Sequence, residues 1–124
     1  MPNIVAFAPI PNAKVATIAS DSGSWIAGCG HAGDGNVHLS VFQSDPDVRS
    51  RVLHELFTTG MALGGAISGE HGIGRAKQRH FLELEDPAKL ALMRRIKAAF
   101  DPHDILNPGV LLGDAPVDET VRER

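Results

Sequence analysis

The segment HAGDGNVH, residues 31–38, sets His31 and His38 on either side of an Asp34-Gly35 pair. Asp-Gly between two strand-like runs predicts a two-residue hairpin turn of type I′, whose central residues both need positive φ. Such a turn pairs Gly33 with Asn36, Ala32 with Val37 and His31 with His38. Directly opposed residues carry their β-carbons about 4.5–5.5 Å apart, so both imidazoles can reach one metal ion. The run from Asn36 to Phe42 alternates, with Val37, Leu39 and Val41 on one face and Asn36, His38 and Ser40 on the other. Both histidines then lie on the polar face. Two exposed strand histidines beside an ordinary turn would share this pattern. A second stretch, Gly69-Glu70-His71-Gly72-Ile73-Gly74, puts a carboxylate next to an imidazole between glycines, which let a backbone approach a ligand closely. Glu70 can bind a metal and His71 can move a proton. Taken alone, the stretch reads equally well as an interhelical loop with incidental polar residues. Two histidines, one carboxylate and open positions make up the ligand set of catalytic sites on zinc and similar ions.

The surrounding sequence supplies elements to hold these groups. Ser24 to Gly30 reads as a mostly buried strand, with Trp25 in the core and Cys29 buried. Ser44-Asp45-Pro46 caps a helix whose inward stripe is Val48, Val52, Leu56 and Phe57, and Gly64-Gly65 ends it. A short helical stretch follows from Arg75 to Leu84. Asp86-Pro87 opens the last helix, with apolar positions Leu90, Met93, Ile96 and Phe100, and Asp101-Pro102 stops it. Leu106-Asn107-Pro108-Gly109 reads locally as a plain turn. His54, His80 and His103 take structural or surface positions. Residues 1–23 form a weakly patterned segment with two β-leaning runs, Ile4 to Phe7 and Val15 to Ile18. Residues 24–112 form the domain proper, and 113–124 a polar tail. The expected class is α+β, an antiparallel sheet with helices on one face.

A chain of 124 residues has room for one small core. A net charge of −3 provides no basic field for nucleic acid or an anionic membrane. No apolar run approaches the roughly 20 residues of a membrane span. The N-terminus has no basic region, and Pro9 and Pro11 interrupt its apolar stretch, so no signal peptide is expected. A single cysteine excludes an internal disulfide and fits a reducing cytoplasm.

Three motifs, HAGDGNVH, GGAISGEHGIG and AAFDPHDILNPG, occur in this order, and together they resemble the C-terminal domain of FAD-linked oxidases in the vanillyl-alcohol-oxidase superfamily. That family includes the flavin-bearing component of glycolate oxidase, D-lactate dehydrogenases and D-2-hydroxyglutarate dehydrogenase. The resemblance runs from about Gly28 to Leu112. It implies a ferredoxin-like plait, present here in part. It implies that His31, His38 and Glu70 hold a divalent ion, zinc or manganese. It further implies that His71 is the base for the substrate hydroxyl, that Asn36 lies near substrate and flavin, and that Asn107 approaches the flavin. The chain departs from the family in three ways: the flavin domain with its glycine-rich pyrophosphate loop is not in this sequence, the first part of the C-terminal domain, which would precede Ser24, is missing or unrecognisable, and Val110 stands where a lysine usually follows NPG. The expected protein is therefore the substrate- and metal-binding fragment of an FAD-dependent D-2-hydroxyacid dehydrogenase, inactive alone, and either served by a separate FAD-binding subunit or a truncated gene product. A sheet cut from a larger domain leaves an open edge, so a homodimer is expected. The other readings are a non-catalytic metal- or partner-binding remnant, and a metal-dependent hydrolase acting alone.

Overall fold

A computed structural model describes residues 3–7 by their backbone, and residues 10–31 and 33–113. Its elements are β1 (Asn3–Phe7), α1 (Asn12–Ser22), β2 (Trp25–His31), β3 (Asn36–Phe42), α2 (Pro46–Ala62), α3 (Gln78–Leu84) and α4 (Pro87–Phe100). The chain divides into two compact units, residues 1–73 and 74–124. The class is α+β, as expected.

The first unit holds a three-stranded antiparallel sheet in the order β1-β3-β2. Its β-α-β-β-α sequence is that of a ferredoxin-like plait up to the last strand. The alternation in β3 decides which face is covered. Leu39 and Val41 are buried on the side that packs toward the helices, and Asn36, His38 and Ser40 take the opposite side. Helix α2 begins at Asp45, whose carboxylate accepts from the N–H groups of Asp47 at 2.8 Å and Val48 at 3.1 Å, with proline at the first helical position. It buries Val52, Leu53, Leu56 and Phe57, while Val48 is only half-buried.

Three expectations fail in this unit. The run Val15 to Ile18 lies inside helix α1, not in a strand. Pro11 starts that helix, its carbonyl accepting from Lys14 and Val15, and Gly23 closes it at φ 60°. Ala13, Ala16 and Ala19 favour the helix more than the β-branched residues oppose it, and Ile18 supplies its buried contact. Strand β2 is mostly exposed rather than buried, because it lies at the edge of the sheet. Trp25 is 65% exposed and Cys29 is exposed, so neither is a core residue. Finally, the hairpin register differs: His31 pairs with Asn36, Gly30 with Val37 and Cys29 with His38. Of Asp34 and Gly35, only Gly35 takes positive φ, at 72°, so the turn is not type I′. Ala32 lies outside the described residues. The shift amounts to two residues, and side chains alternate with period two, so every residue keeps its face.

In the second unit, α3 begins at Gln78, with turns rather than helix over 74–77. Asp86 caps α4 by accepting from Ala88 N–H at 2.8 Å. Of the expected inward stripe on α4, Leu90 is buried and Met93 half-buried, but Ile96 and Phe100 are exposed, Phe100 by 84%. The last turns of that stripe therefore have no cover among the described residues. Beyond α4, buried Asp101 accepts from the N–H groups of Ile105 at 3.0 Å and Leu106 at 2.9 Å and from the Lys97 ammonium. Lys97 also donates to the Leu106 carbonyl at 2.8 Å. The clamp leads into Asn107, which sits at φ 50°, and Gln78 Nε2 holds the Gly109 carbonyl at 2.8 Å. His103 is exposed, His54 half-buried and His80 buried. Residues 114–124, most of the expected tail, lie outside the described residues.

Candidate metal centre

Two elements of the first unit meet on the open face of the sheet. Strand β3 presents Asn36 and His38, and the end of β2 presents His31. After α2 the chain returns over this face, anchored by buried Ile67. Its loop is tied by Ser68 Oγ, which donates to the Gly72 carbonyl at 2.6 Å, and Gly72 takes φ 71°. Gly69 passes so close to the strand that a β-carbon there would lie 2.8 Å from Asn36 Oδ1. Glycine at 69 thus lets Glu70 and His71 reach the sheet.

Around Glu70 the imidazoles converge. Glu70 Oε1 lies 3.1 Å from His38 Nε2, 3.7 Å from His31 Nε2 and 3.7 Å from His71 Nε2. The other carboxylate oxygen accepts from the Asn36 amide. The Glu70 carboxyl is held below its ordinary value, first by its own backbone N–H, then by the Asn36 amide and by His38 and His71, against partial desolvation. The His31 and His38 rings stand nearly perpendicular with centroids 5.5 Å apart, and His38 and His71 lie 4.8 Å apart. His38 is the inner member, 11% exposed at its side chain, and its Nδ1 is buried with no hydrogen-bond partner among the described residues.

The donor atoms of His31, His38 and Glu70 lie within 4.8 Å of one another. A tetrahedral ion with bonds of about 2.0–2.2 Å spaces its ligand atoms roughly 3.3–3.6 Å apart. The distances of 3.1 and 3.7 Å from Glu70 Oε1 to His38 and His31 bracket that spacing. The set therefore fits a divalent ion that accepts nitrogen and oxygen donors. His31, His38, Glu70, His71 and Asn36, each singled out in the sequence, come together in one unit. Asn107 belongs to the other unit.

Sequence reasoning missed the close approach of Gly69 to Asn36, for which the glycine run was the available signal. It also buried Cys29, which stands opposite His38 on the same face. The odd numbering that Cys29 shares with His31 along β2 was enough to assign it to that face.

The family of FAD linked oxidases, C-terminal domain, matches residues 12–111. An FAD-linked oxidoreductase of Mycobacterium tuberculosis is 62% identical over 87 residues, 70% of this chain and 19% of that protein. D-lactate dehydrogenase of Archaeoglobus fulgidus is 41% identical over 109 residues, 81% of this chain and 24% of that protein. The glycolate oxidase component GlcD of Bacillus subtilis is 34% identical over 133 residues, 98% of this chain and 28% of that protein. The chain thus spans between 19% and 28% of the length of these relatives.

Proposed function

Because the chain belongs to the family of FAD-linked oxidase C-terminal domains, we propose that it forms the substrate- and metal-binding part of a flavin-dependent D-2-hydroxyacid dehydrogenase. The reaction is oxidation of a D-2-hydroxyacid to the 2-oxoacid with hydride accepted by FAD. Relatives named for D-lactate, glycolate and D-2-hydroxyglutarate support this substrate class. The observation that carries the reading is the convergence of three imidazole nitrogens on one oxygen of Glu70.

In this reading His31, His38 and Glu70 hold a divalent ion, zinc or manganese. When bound, such an ion supplies Lewis acidity toward the carboxylate and hydroxyl oxygens of the acid. Asn36 orients Glu70 through its amide and lies beside the substrate. His71 keeps Nε2 on the same side as the ligand atoms, where it can take the hydroxyl proton. Asn107 approaches the flavin. A domain of residues 24–112 and a cytoplasmic setting complete the proposal. No helix among the described residues is long and apolar enough to cross a membrane.

Metal analysis and titration test it. About one zinc or manganese ion per chain is expected, lost in the His31→Ala, His38→Ala double variant. Unchanged binding in that variant would remove the assignment.

A further inference from the structure

At the far end of the open face from the histidines lies an aromatic pair exposed to solvent. Trp25 and Phe42 are cross-strand partners, 65% and 40% exposed, with ring centroids 4.5 Å apart and planes inclined by 38°. The register puts Trp25, Ala27, Cys29 and His31 of β2 on one face with Asn36, His38, Ser40 and Phe42 of β3. Between the aromatic pair and the ligand cluster these two strands offer only the Ala27–Ser40 pair and Cys29, short side chains that leave the path open. At a rise of about 3.4 Å per residue, Phe42 lies roughly 14 Å along the strand from His38. None of these intervening residues carries a charge.

We propose that this face is a side-chain subsite for a 2-hydroxyacid with an extended apolar or aryl-terminated side chain. The acid's carboxylate and hydroxyl lie at His31, His38 and Glu70, and its hydrocarbon runs over Ala27 and Ser40 to end against Trp25 and Phe42. The inference rests on the hydroxyacid reading of the metal centre and narrows it. Continuity selects the occupant, since the aromatic pair and the ligand cluster share one face of one hairpin. Charge selects its type. A second carboxylate on the substrate would meet no cation from β2 or β3 along this path, whereas a hydrocarbon chain meets aromatic surface that otherwise faces water.

Trp25 is the only tryptophan in the chain, so its emission reports the subsite directly. The zinc-loaded full chain is titrated with glycolate, D-2-hydroxyglutarate, D-2-hydroxydodecanoate, whose chain is long enough to span the two sites, and plain dodecanoate. The expected result is that D-2-hydroxydodecanoate binds about tenfold or more tightly than glycolate, from burial of its methylenes. It also shifts Trp25 emission to the blue, and glycolate does not. Phe42→Ala and Ser40→Leu should each narrow the ratio between the two acids. Equal affinity for long and short acids, a preference for D-2-hydroxyglutarate, or equal binding of plain dodecanoate would overturn the subsite. If glycolate still binds in a zinc-dependent way in those cases, the metal-centre reading stands and only the subsite falls. If no hydroxyacid binds more tightly with zinc than without it, both fall.

Discussion

At the scale of single residues, the candidate centre depends on how Glu70 is held. Its carboxylate is shared between an amide and a group of imidazoles, and the amide of Asn36 is the contact that orients it. Outer-shell partners of metal-ligating carboxylates typically contribute a factor of about 10–100 in metal affinity. Asn36→Ala should weaken zinc binding by that factor while leaving the far-ultraviolet circular dichroism unchanged; an affinity within twofold of the parent would show that Glu70 needs no such support. Gly69→Ala acts on the same contact from the loop side. Its new β-carbon would crowd the Asn36 amide, so loss of zinc affinity should exceed any loss of thermal stability.

The elements differ in how much of them could be read from residue types. Helices α2 and α4 were legible at their starts, because Asp-Pro combines a capping carboxylate with a preset φ. Asp45→Ala should lower the midpoint of denaturant unfolding, because the N–H groups of Asp47 and Val48 lose their cap. The shared face of the histidines was legible too, since alternation survives any shift of register by an even number of residues. The register itself was not. The Asp34-Gly35 pair suggests the tightest turn, but at Gly30 strand β2 passes so near β3 that a β-carbon there would lie 2.2 Å from the Asn36 carbonyl oxygen. Glycine at 30 is needed for the observed pairing, and this tertiary fit is not contained in the chemistry of the two turn residues. Helix α1 was hidden for a related reason: its β-branched residues resemble a strand until Pro11 and Gly23 are seen as its ends.

Past the end of α4, the clamp of Lys97 and Asp101 gives a pH dependence of definite sign. Asp101 is held below its ordinary value of 3.8, first by the Lys97 ammonium and then by the N–H groups of Leu106 and Ile105. Lys97 is raised above 10.5, first by Asp101 and then by Asp104. The stabilisation from Asp101 is thus fully present above its unfolded value and is lost as pH falls through the lowered folded one. That from Lys97 is present below its unfolded value and is lost as pH rises through the raised one. Asp101→Asn should melt below the parent at neutral pH, and the two melting curves should converge as the solution is made more acidic than 3.8. A constant difference at every pH would mean the clamp acts through shape alone.

For the whole molecule, the described sheet ends in β1 on one side and β2 on the other, and neither has an outer partner among the described residues. Helix α4 adds Leu92, Ile96 and Phe100 as exposed apolar side chains. Unpaired strand edges and uncovered apolar surface both favour association, and two-fold pairing is the commonest way for identical chains to close. We therefore propose a homodimer, for which light scattering at micromolar concentration should give about twice the chain mass. A monomer over a wide concentration range would rule it out.

The exposed sulfur of Cys29 gives the site a chemical clock. Because Cys29 is the sole cysteine and stands directly across from His38, the rate at which a thiol reagent consumes it measures how open that stretch of strand is at any moment. An ion or an acid lying over the histidines would slow the alkylation in proportion to its occupancy. Binding too weak for calorimetry then becomes readable as a half-life, with no label added to the protein and no residue changed.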